Sequence, residues 1–231
     1  METTSRIAEK IGKEAVVIGR ADQGPFNLVC LLRGTQEFML DLLDEDEEVI
    51  RRALEWATEV HIAFAKAQLK AGATVTSMGD SYASPNLVSP EIYKKYALPY
   101  EQKVVEAVQT PDKFYAIHVC GDTNMIIEPM GQTGARILEV DWKLDMKKAR
   151  EVVPESTLLM GNVNPSDPLY LGTPADVEAA VKKVVDDTEG RGLIISSGCA
   201  IGANTPPENM KALIDAGRKY GAYDYVAGLR K

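Results

Sequence analysis

Short apolar segments alternate along the whole chain with longer segments of helical periodicity. The short segments are rich in β-branched residues, which is typical of buried strands. Glycine or small polar residues follow each of them, which indicates that the chain turns there. The predicted strands are residues 15–19, 74–78, 136–140, 157–160 and 193–197, together with one that begins at Phe114 and enters a loop by Asp122.

The longer segments carry helix signals at their ends as well as apolar residues at helical spacing. One begins at the capping triplet Ser89, Pro90 and Glu91, and the longest ends at Ala71 and Gly72. The predicted helices cover about residues 5–11, 26–32, 36–43, 47–70, 90–108 with a break near Pro99, 125–130, 145–152, 175–188 and 206–220.

Six strands in alternation with helices predict βαβ units, and therefore a parallel sheet that helices cover. No linker or low-complexity tract interrupts the pattern, so residues 1–231 are predicted to form one domain with a TIM-barrel-like α/β fold. In such a barrel the active site lies at the carboxyl ends of the strands. The residues at these predicted ends are Asp22, Asp80, His118, Cys120, Asp122, Glu139, Asp141, Asn162, Asn164 and Cys199.

The composition is that of an ordinary globular protein, with 231 residues, 45% hydrophobic residues and a net charge of −8. Acidic residues concentrate in runs such as residues 44–48, which we expect to be a solvated helix start. The absence of a basic stripe weighs against nucleic acid or an anionic membrane as a partner. No apolar run approaches the roughly 18–20 residues of a membrane span, and the amino terminus lacks a signal-peptide core, so the cytoplasm is predicted.

Two of the three cysteines and one of the two histidines lie at predicted strand ends. His118 and Cys120 are two apart, so on a strand they project from one face, and Cys199 follows the last strand. Such a set suits tetrahedral zinc with one open position. The alternative is that these residues only pack, as is expected for Cys30, which has no polar neighbours, and for His61, which lies within a helix.

A zinc site with one histidine and two cysteines is suited to thiol chemistry. Two thiolates balance the charge of the ion, and a substrate thiol in the open position loses its proton and makes the site net negative. The surplus charge keeps that sulfur electron-rich. The residues therefore point to the alkylation of a thiol.

Several short motifs, spread over nearly the whole chain, form a recognisable set. They are GPFNL at residues 24–28, AGA at 71–73 with GD at 79–80, HVCG at 118–121, GNVNP at 161–165, GCAIG at 198–202 and TPPENMKAL at 205–213. Together they resemble the uroporphyrinogen decarboxylase superfamily. The resemblance implies a TIM barrel and chemistry at its carboxyl-end rim.

Within that superfamily, the H-x-C motif and the distant cysteine resemble the zinc branch, the cobamide-dependent methyltransferases. The resemblance implies that His118, Cys120 and Cys199 bind Zn²⁺ and that the metal activates a methyl acceptor, which is a thiol in the coenzyme M enzymes. It also implies a corrinoid protein as partner, because the methylcobamide of such systems is carried on a separate chain.

The coenzyme M branch further implies an acidic residue near zinc, after the strand that follows H-x-C. Glu139 and Asp141 share a strand face, so either could reach the metal; we prefer Asp141 as a fourth or displaceable ligand. The alternative is an acid that caps a helix or supports the ligands. Asp80 is expected to share catalysis with Asp141, and Asp80, Asn162 and Asp22 to line the substrate pocket.

The chain departs from the family pattern in its number of strands. The family barrel has eight, whereas six are predicted here, and the first two are the ones expected to be missing. The chain is then either a fragment or a natural short form with an open barrel. Unpaired edges are expected beside Val17 and Ile195, which a second copy, a paralogous subunit or the amino-terminal helix could cover. Whether Cys199 still reaches the other ligands is left open.

Two alternatives to the methyltransferase come from the same observations. One is decarboxylase-type chemistry on a tetrapyrrole or another carboxylate, which would leave the three metal-binding residues unexplained. The other is a truncated, non-catalytic subunit that binds a full-length paralogue or a corrinoid protein. The family's amino-terminal substrate residues cannot be located here, which weighs against the decarboxylase.

Overall fold

A computed structural model of the chain describes residues 1–44 and 46–230. Within these residues six parallel strands form one sheet, in which each strand pairs with its successor in the sequence. This order is that of a barrel wall, because a doubly wound sheet reverses direction partway across. The strands are β1 Ile18–Arg20, β2 Val75–Gly79, β3 Phe114–Val119, β4 Ile137–Val140, β5 Leu158–Val163 and β6 Leu193–Ser197.

The sheet and its helices form a half-barrel, which confirms the predicted TIM-barrel-like α/β fold of six units. None of the helices in the described ranges has the length and apolar character needed to cross a membrane. The helices are α1 Glu2–Ile11, α2 Pro25–Arg33, α3 Thr35–Asp44, α4 Glu47–Lys70, α5 Pro90–Tyr96, α6 Leu98–Val108, α7 Ile127–Gly131, α8 Met146–Val152, α9 Pro174–Thr188, α10 Pro207–Tyr220 and α11 Tyr223–Leu229.

Helix α4 has the bounds that its sequence pattern predicts. The Asp46 side chain accepts the Glu48 N–H at 2.9 Å and caps the helix, as expected for an acidic start. Glu45, which belongs to the same acidic run, lies outside the described residues.

Two strands differ by two residues in length from their prediction. β5 continues to Val163, because Asn162 and Val163 pair with Ser196 and Ser197 of β6. β1 begins only at Ile18, where pairing with Val75 of β2 starts. In both cases the neighbouring strand decides the bound, and a neighbour is not visible in the local pattern.

Two further elements were not predicted. Helix α11 follows α10, and a short 3-10 helix over Ser81–Ala83 follows β2. Helix α11 packs Tyr225, Val226 and Leu229 against the main core, but its seven residues are too few to show a helical period in the sequence.

The two faces of the sheet have different surroundings. On the outer face, side chains such as Tyr115, Ile117 and Leu138 pack with the helices into the main core. The inner face carries a small apolar cluster built on Val75, Ala116 and Ile137. Because strand side chains alternate, His118 shares the inner face with Ala116 and is thereby directed away from the helix layer.

The edges of the sheet are β1 and β6. Ile18, the first residue of β1, is exposed, and of the two residues before it Val16 is exposed and Val17 is buried. All five residues of β6 are half-buried, Ile195 included. The predicted open edges are therefore present in the described part of the chain.

We predict that Leu138→Ala destabilises the protein by about 2–5 kcal/mol, because Leu138 is fully buried in the main core and its truncation leaves a cavity. The matched control is Leu43→Ala on α3, which should lose little stability because the Leu43 side chain is 73% exposed. Urea unfolding of both variants measures the difference. Equal midpoints would contradict the assignment of Leu138 to the core.

Candidate metal centre

The end of β3 brings His118 and Cys120 together on the inner side of the half-barrel. The His118 Nε2 atom lies 2.8 Å from the Cys120 Sγ atom. The Cys120 Sγ atom lies 3.6 Å from the Cys199 Sγ atom, at the end of β6. One nitrogen and two sulfur atoms, all within 4.8 Å of one another, thus converge at the carboxyl-end rim.

A hydrogen bond orients the His118 ring. Its Nδ1 atom lies 2.9 Å from the Glu139 carbonyl oxygen on β4, the strand on which Glu139 is the direct neighbour of His118. A carbonyl oxygen can only accept, so Nδ1 carries the proton. Nε2 is therefore the atom left to bind a metal, and it faces the two cysteines.

The loop after β3 is shaped around Gly121. Its φ of 91° lies in the left-handed region, and a Cβ there would come within 2.2 Å of the Asn86 side-chain oxygen. The Ser81 hydroxyl oxygen accepts the Cys120 N–H at 3.2 Å. These contacts hold the H-x-C-G segment in one conformation.

Cys199 is held in reach of the other two residues although β6 is an edge strand. The Gly198 N–H donates to the Val163 carbonyl at 2.8 Å, and the Ser197 hydroxyl donates to the Cys199 carbonyl at 2.8 Å. Gly198 packs so closely on the loop after β4 that a Cβ would lie 2.3 Å from the Trp142 nitrogen. Packing between these two loops therefore positions Cys199.

The donor set fits zinc in chemical terms. Imidazole nitrogen and thiolate sulfur are its usual ligands, and three protein ligands leave one tetrahedral position for a substrate. The two cysteines are half-buried and His118 is buried, so the group is sheltered but accessible from the rim.

Asp141 lies beside this group and not within it. One of its carboxylate oxygens accepts the Gly121 N–H at 2.8 Å, and the other accepts the Lys143 N–H at 3.0 Å. In this structure Asp141 therefore positions the loop that follows Cys120. Its assignment as a fourth metal ligand stays a prediction.

Asp80 directly follows β2, is fully buried, and contacts the start of α2 through its carboxylate. Its carboxylate accepts the Asn27 N–H at 2.6 Å and the Phe26 N–H at 3.4 Å, so it caps the turn of the Gly-Pro-Phe-Asn motif. Burial raises the pKa of the Asp80 carboxyl, against the lowering effect of the two N–H groups. The structure thus places Asp80 beneath a loop of the site, where its contacts are structural.

Asn162 and Asp22 occupy different surroundings. The buried Asn162 amide donates to the carbonyls of Asp141 and Leu144 at 3.1 and 2.9 Å, and so ties the end of β5 to the loop after β4. Asp22 is exposed, and its carboxylate oxygens each accept from the Arg20 Nε at 2.9 Å. Of the predicted pocket residues, Asp22 lines the same cleft as His118, Cys120 and Cys199, whereas Asn162 lines a different one.

A cleft of about 610 Å³ opens beside the three ligands. Sequence patterns did not single out three of its polar residues, which are Arg20, Gln23 and Ser81. Arg20 forms ion pairs with Asp22 and with Glu139. The position of Arg20 at the end of β1 was the one available signal.

His61 and Cys30 are buried, in accordance with their predicted structural roles. The His61 ring contacts the Gln23 carbonyl oxygen through Nδ1 at 2.8 Å and the Tyr115 hydroxyl through Nε2. Burial raises the pKa of the Cys30 thiol to about 12, which makes it a poor nucleophile and metal ligand.

Comparisons with known proteins link this geometry to one family. The family model described as uroporphyrinogen decarboxylase (URO-D) matches residues 1–220. A methylcobamide:CoM methyltransferase MtbA from Methanosarcina mazei is 37% identical over 214 residues, which are 93% of this chain and 61% of the relative. A uroporphyrinogen decarboxylase from Prochlorococcus marinus is 30% identical over 224 residues, which are 94% of this chain and 62% of that protein. The chain thus spans less than two thirds of the length of these relatives.

Solved structures agree with the fold. A methyltransferase from Methanosarcina mazei superimposes with a TM-score of 0.87 and 30% identity, over 96% of this chain and 64% of the other. A B12-independent methionine synthase from a Shewanella species superimposes with a TM-score of 0.68 at 14% identity, over 96% of this chain and 67% of the other, which is a likeness of fold alone.

We predict that Gly198→Ala weakens zinc binding by about 10- to 100-fold, because the new methyl group would push the Cys199 turn off the Trp142 backbone. The matched control is Gly228→Ala on α11, where a Cβ meets nothing within 4 Å. Competition with a fluorescent zinc chelator measures both affinities. If the two variants bind zinc equally well, this contact does not position Cys199.

We also predict that the three cysteines differ in reactivity. In metal-free protein, Cys120 and Cys199 should react with Ellman's reagent, while buried Cys30 reacts only after denaturation. Zinc should protect the first two thiols. Equal reaction rates with and without zinc would contradict the candidate metal centre.

Proposed function

This chain belongs to the uroporphyrinogen decarboxylase (URO-D) family, and within that family we propose that it acts as a zinc-dependent, cobamide-dependent methyltransferase. It would move a methyl group between a methylated corrinoid on a separate protein and a small thiol such as coenzyme M. The observation that carries the proposal is the convergence of His118, Cys120 and Cys199 at the carboxyl-end rim. The greater identity to the MtbA relative than to the decarboxylase relative supports it.

His118, Cys120 and Cys199 are the residues that would hold zinc. When bound, the metal would supply Lewis acidity that favours the thiolate form of the acceptor at neutral pH. The Glu139 carbonyl oxygen keeps the His118 Nδ1 proton in place, so that Nε2 faces the metal position. Cys120 and Cys199 would release their protons on metal binding, which makes zinc affinity rise with pH.

The other residues of the cleft would bind and orient the acceptor. Asp141 holds the Gly121 loop and is proposed as a displaceable fourth ligand. Asp22 lies on the cleft wall in an ion pair with Arg20, and we assign it to substrate binding. Asp80 and Asn162 would support the site by holding the loops that carry these groups, since both carry hydrogen bonds within the protein.

The same proposal covers partners. The methyl donor would be a corrinoid protein, which presents its cofactor to the rim where the metal group lies. Oligomerisation through the open edges at β1 and β6 is proposed as the way in which the half-barrel is covered. A carboxy-lyase without metal would leave the two cysteines and His118 without a role, so we rank it second.

We predict that purified chain binds close to one equivalent of zinc, and that chelation abolishes methyl transfer from methylcobalamin to coenzyme M. Cys120→Ser should lose both zinc and transfer, because a hydroxyl oxygen is a weak zinc ligand. Elemental analysis measures the metal, and loss of the methyl–cobalt absorbance measures transfer. Cys30→Ala is the matched control and should keep both, since Cys30 lies in the core.

Other outcomes would decide against this function. Transfer that survives chelation, or a Cys120→Ser variant that equals the wild type, contradicts it. Decarboxylation of a tetrapyrrole carboxylate by metal-free protein would favour the carboxy-lyase. Stable binding to a corrinoid protein without turnover would favour the non-catalytic subunit.

A further inference from the structure

Gln23 has an unusual backbone conformation at the wall of the cleft. Its φ is 73°, in the left-handed region, which a residue with a Cβ and a long side chain adopts only at a cost. Such a residue persists where its surroundings over-determine it, and it is frequently found at functional sites. Both the backbone and the side chain of Gln23 are held by hydrogen bonds.

The backbone of Gln23 is held by His61 of α4. The Gln23 carbonyl oxygen lies 2.8 Å from the His61 Nδ1 atom, which must be the donor because a carbonyl only accepts. Burial lowers the pKa of His61, so the ring is neutral and its Nε2 accepts from the Tyr115 hydroxyl. Tyr115 lies on β3, the strand that carries His118, so the two hydrogen bonds of His61 connect the Gln23 loop to β3.

The side chain of Gln23 is held at its oxygen. The Asn27 side-chain nitrogen donates to the Gln23 Oε1 atom at 3.1 Å, and the Asn27 Oδ1 atom accepts the Tyr82 N–H at 2.7 Å. This leaves the Gln23 Nε2 atom, with two N–H groups, as the free end of the amide. It donates to no residue in the described part of the chain, and it lines the cleft that also contains Cys120 and Cys199.

We propose that Gln23 is a specificity-determining residue whose two N–H groups bind oxygen atoms at the end of the methyl acceptor opposite its thiol. His61 is the positioning residue that holds Gln23 in place. The inference rests on the proposed function, because it assumes that a small thiol occupies this cleft. The sulfonate of coenzyme M, the acceptor named in the proposed function, is such an oxygen-bearing end, and the inference concerns the residue that binds it.

The first experiment measures the binding of two thiols to the zinc-loaded chain by titration calorimetry. The thiols are 2-mercaptoethanesulfonate and 2-mercaptoethanol, which differ in the terminus opposite the sulfur. The wild type should bind the sulfonate more tightly. Gln23→Glu replaces the two donors by a carboxylate oxygen and should weaken sulfonate binding by about 10- to 100-fold, with little change for 2-mercaptoethanol.

The control for charge is Gln23→Met, which removes both donors without adding a charge and should also weaken sulfonate binding selectively; if this variant binds the sulfonate as tightly as the wild type, the role assigned to Gln23 is wrong. Zinc content, measured on each variant, should stay equal to that of the wild type. If Gln23→Glu weakens both thiols equally, or neither, the role assigned to Gln23 is wrong.

The second experiment tests the positioning role of His61. His61→Leu removes the donor to the Gln23 carbonyl and should lower the preference for the sulfonate, whereas His61→Asn keeps a donor near the Nδ1 position and should restore most of it. A purely structural role would lower the thermal midpoint and affect both thiols alike. If His61→Leu does not fold, His61→Asn and Gln23→Glu still decide the question.

The inference and the proposed function can fail separately. Selective thiol binding that depends on Gln23, without any methyl transfer, contradicts the function and supports the inference. Methyl transfer by a wild type that binds both thiols equally contradicts the inference alone. A zinc-loaded chain that binds neither thiol contradicts both.

Discussion

The parallel register of neighbouring strands is the constraint on which the candidate site depends. His118 on β3 is the direct neighbour of Glu139 on β4, and this pairing lets the Glu139 carbonyl orient the imidazole. Val163 on β5 is the neighbour of Ser197 on β6, and this pairing places Cys199, two residues further on, at the same rim. A one-residue slip would turn every side chain of a strand to the opposite face. The three candidate ligands therefore lie together because several strands end at one rim.

Buried carboxylates beneath the rim accept hydrogen bonds from backbone N–H groups and thereby fix the conformations of the loops that follow the strands. Asp80 accepts two N–H groups of the first turn of α2, and Asp141 accepts the N–H groups of Gly121 and Lys143. Each of these carboxylates is buried and is satisfied by backbone donors, which is the usual condition for retaining a charge-bearing group inside a protein. The loops that line the cleft are thus held from below, and the cleft itself keeps donors such as the Gln23 amide for a ligand.

Most of the fold followed from local patterns, and the exceptions have a common cause. The bounds of α4 were predictable because 24 residues of periodic sequence end in clear signals at both sides. The last three residues of β5 were not, because Gly161, Asn162 and Val163 read as a loop until β6 pairs with them. Burial and pairing with a neighbouring strand are tertiary effects, and they override the local conformational preference of these residues.

The order of strands and helices, and the position of one histidine and two cysteines at strand ends, could be predicted from the sequence. Hydrophobic periodicity and turn residues are local properties of the chain, which is why they carry this information. Which rim residues meet depends on how the chain folds. Cys199 is 79 residues from Cys120, yet their sulfur atoms lie 3.6 Å apart, while Asp80 and Asn162 turn toward backbone groups. Hydrogen-bond partners and the packing of one loop on the next depend on three-dimensional proximity, which residue spacing does not encode.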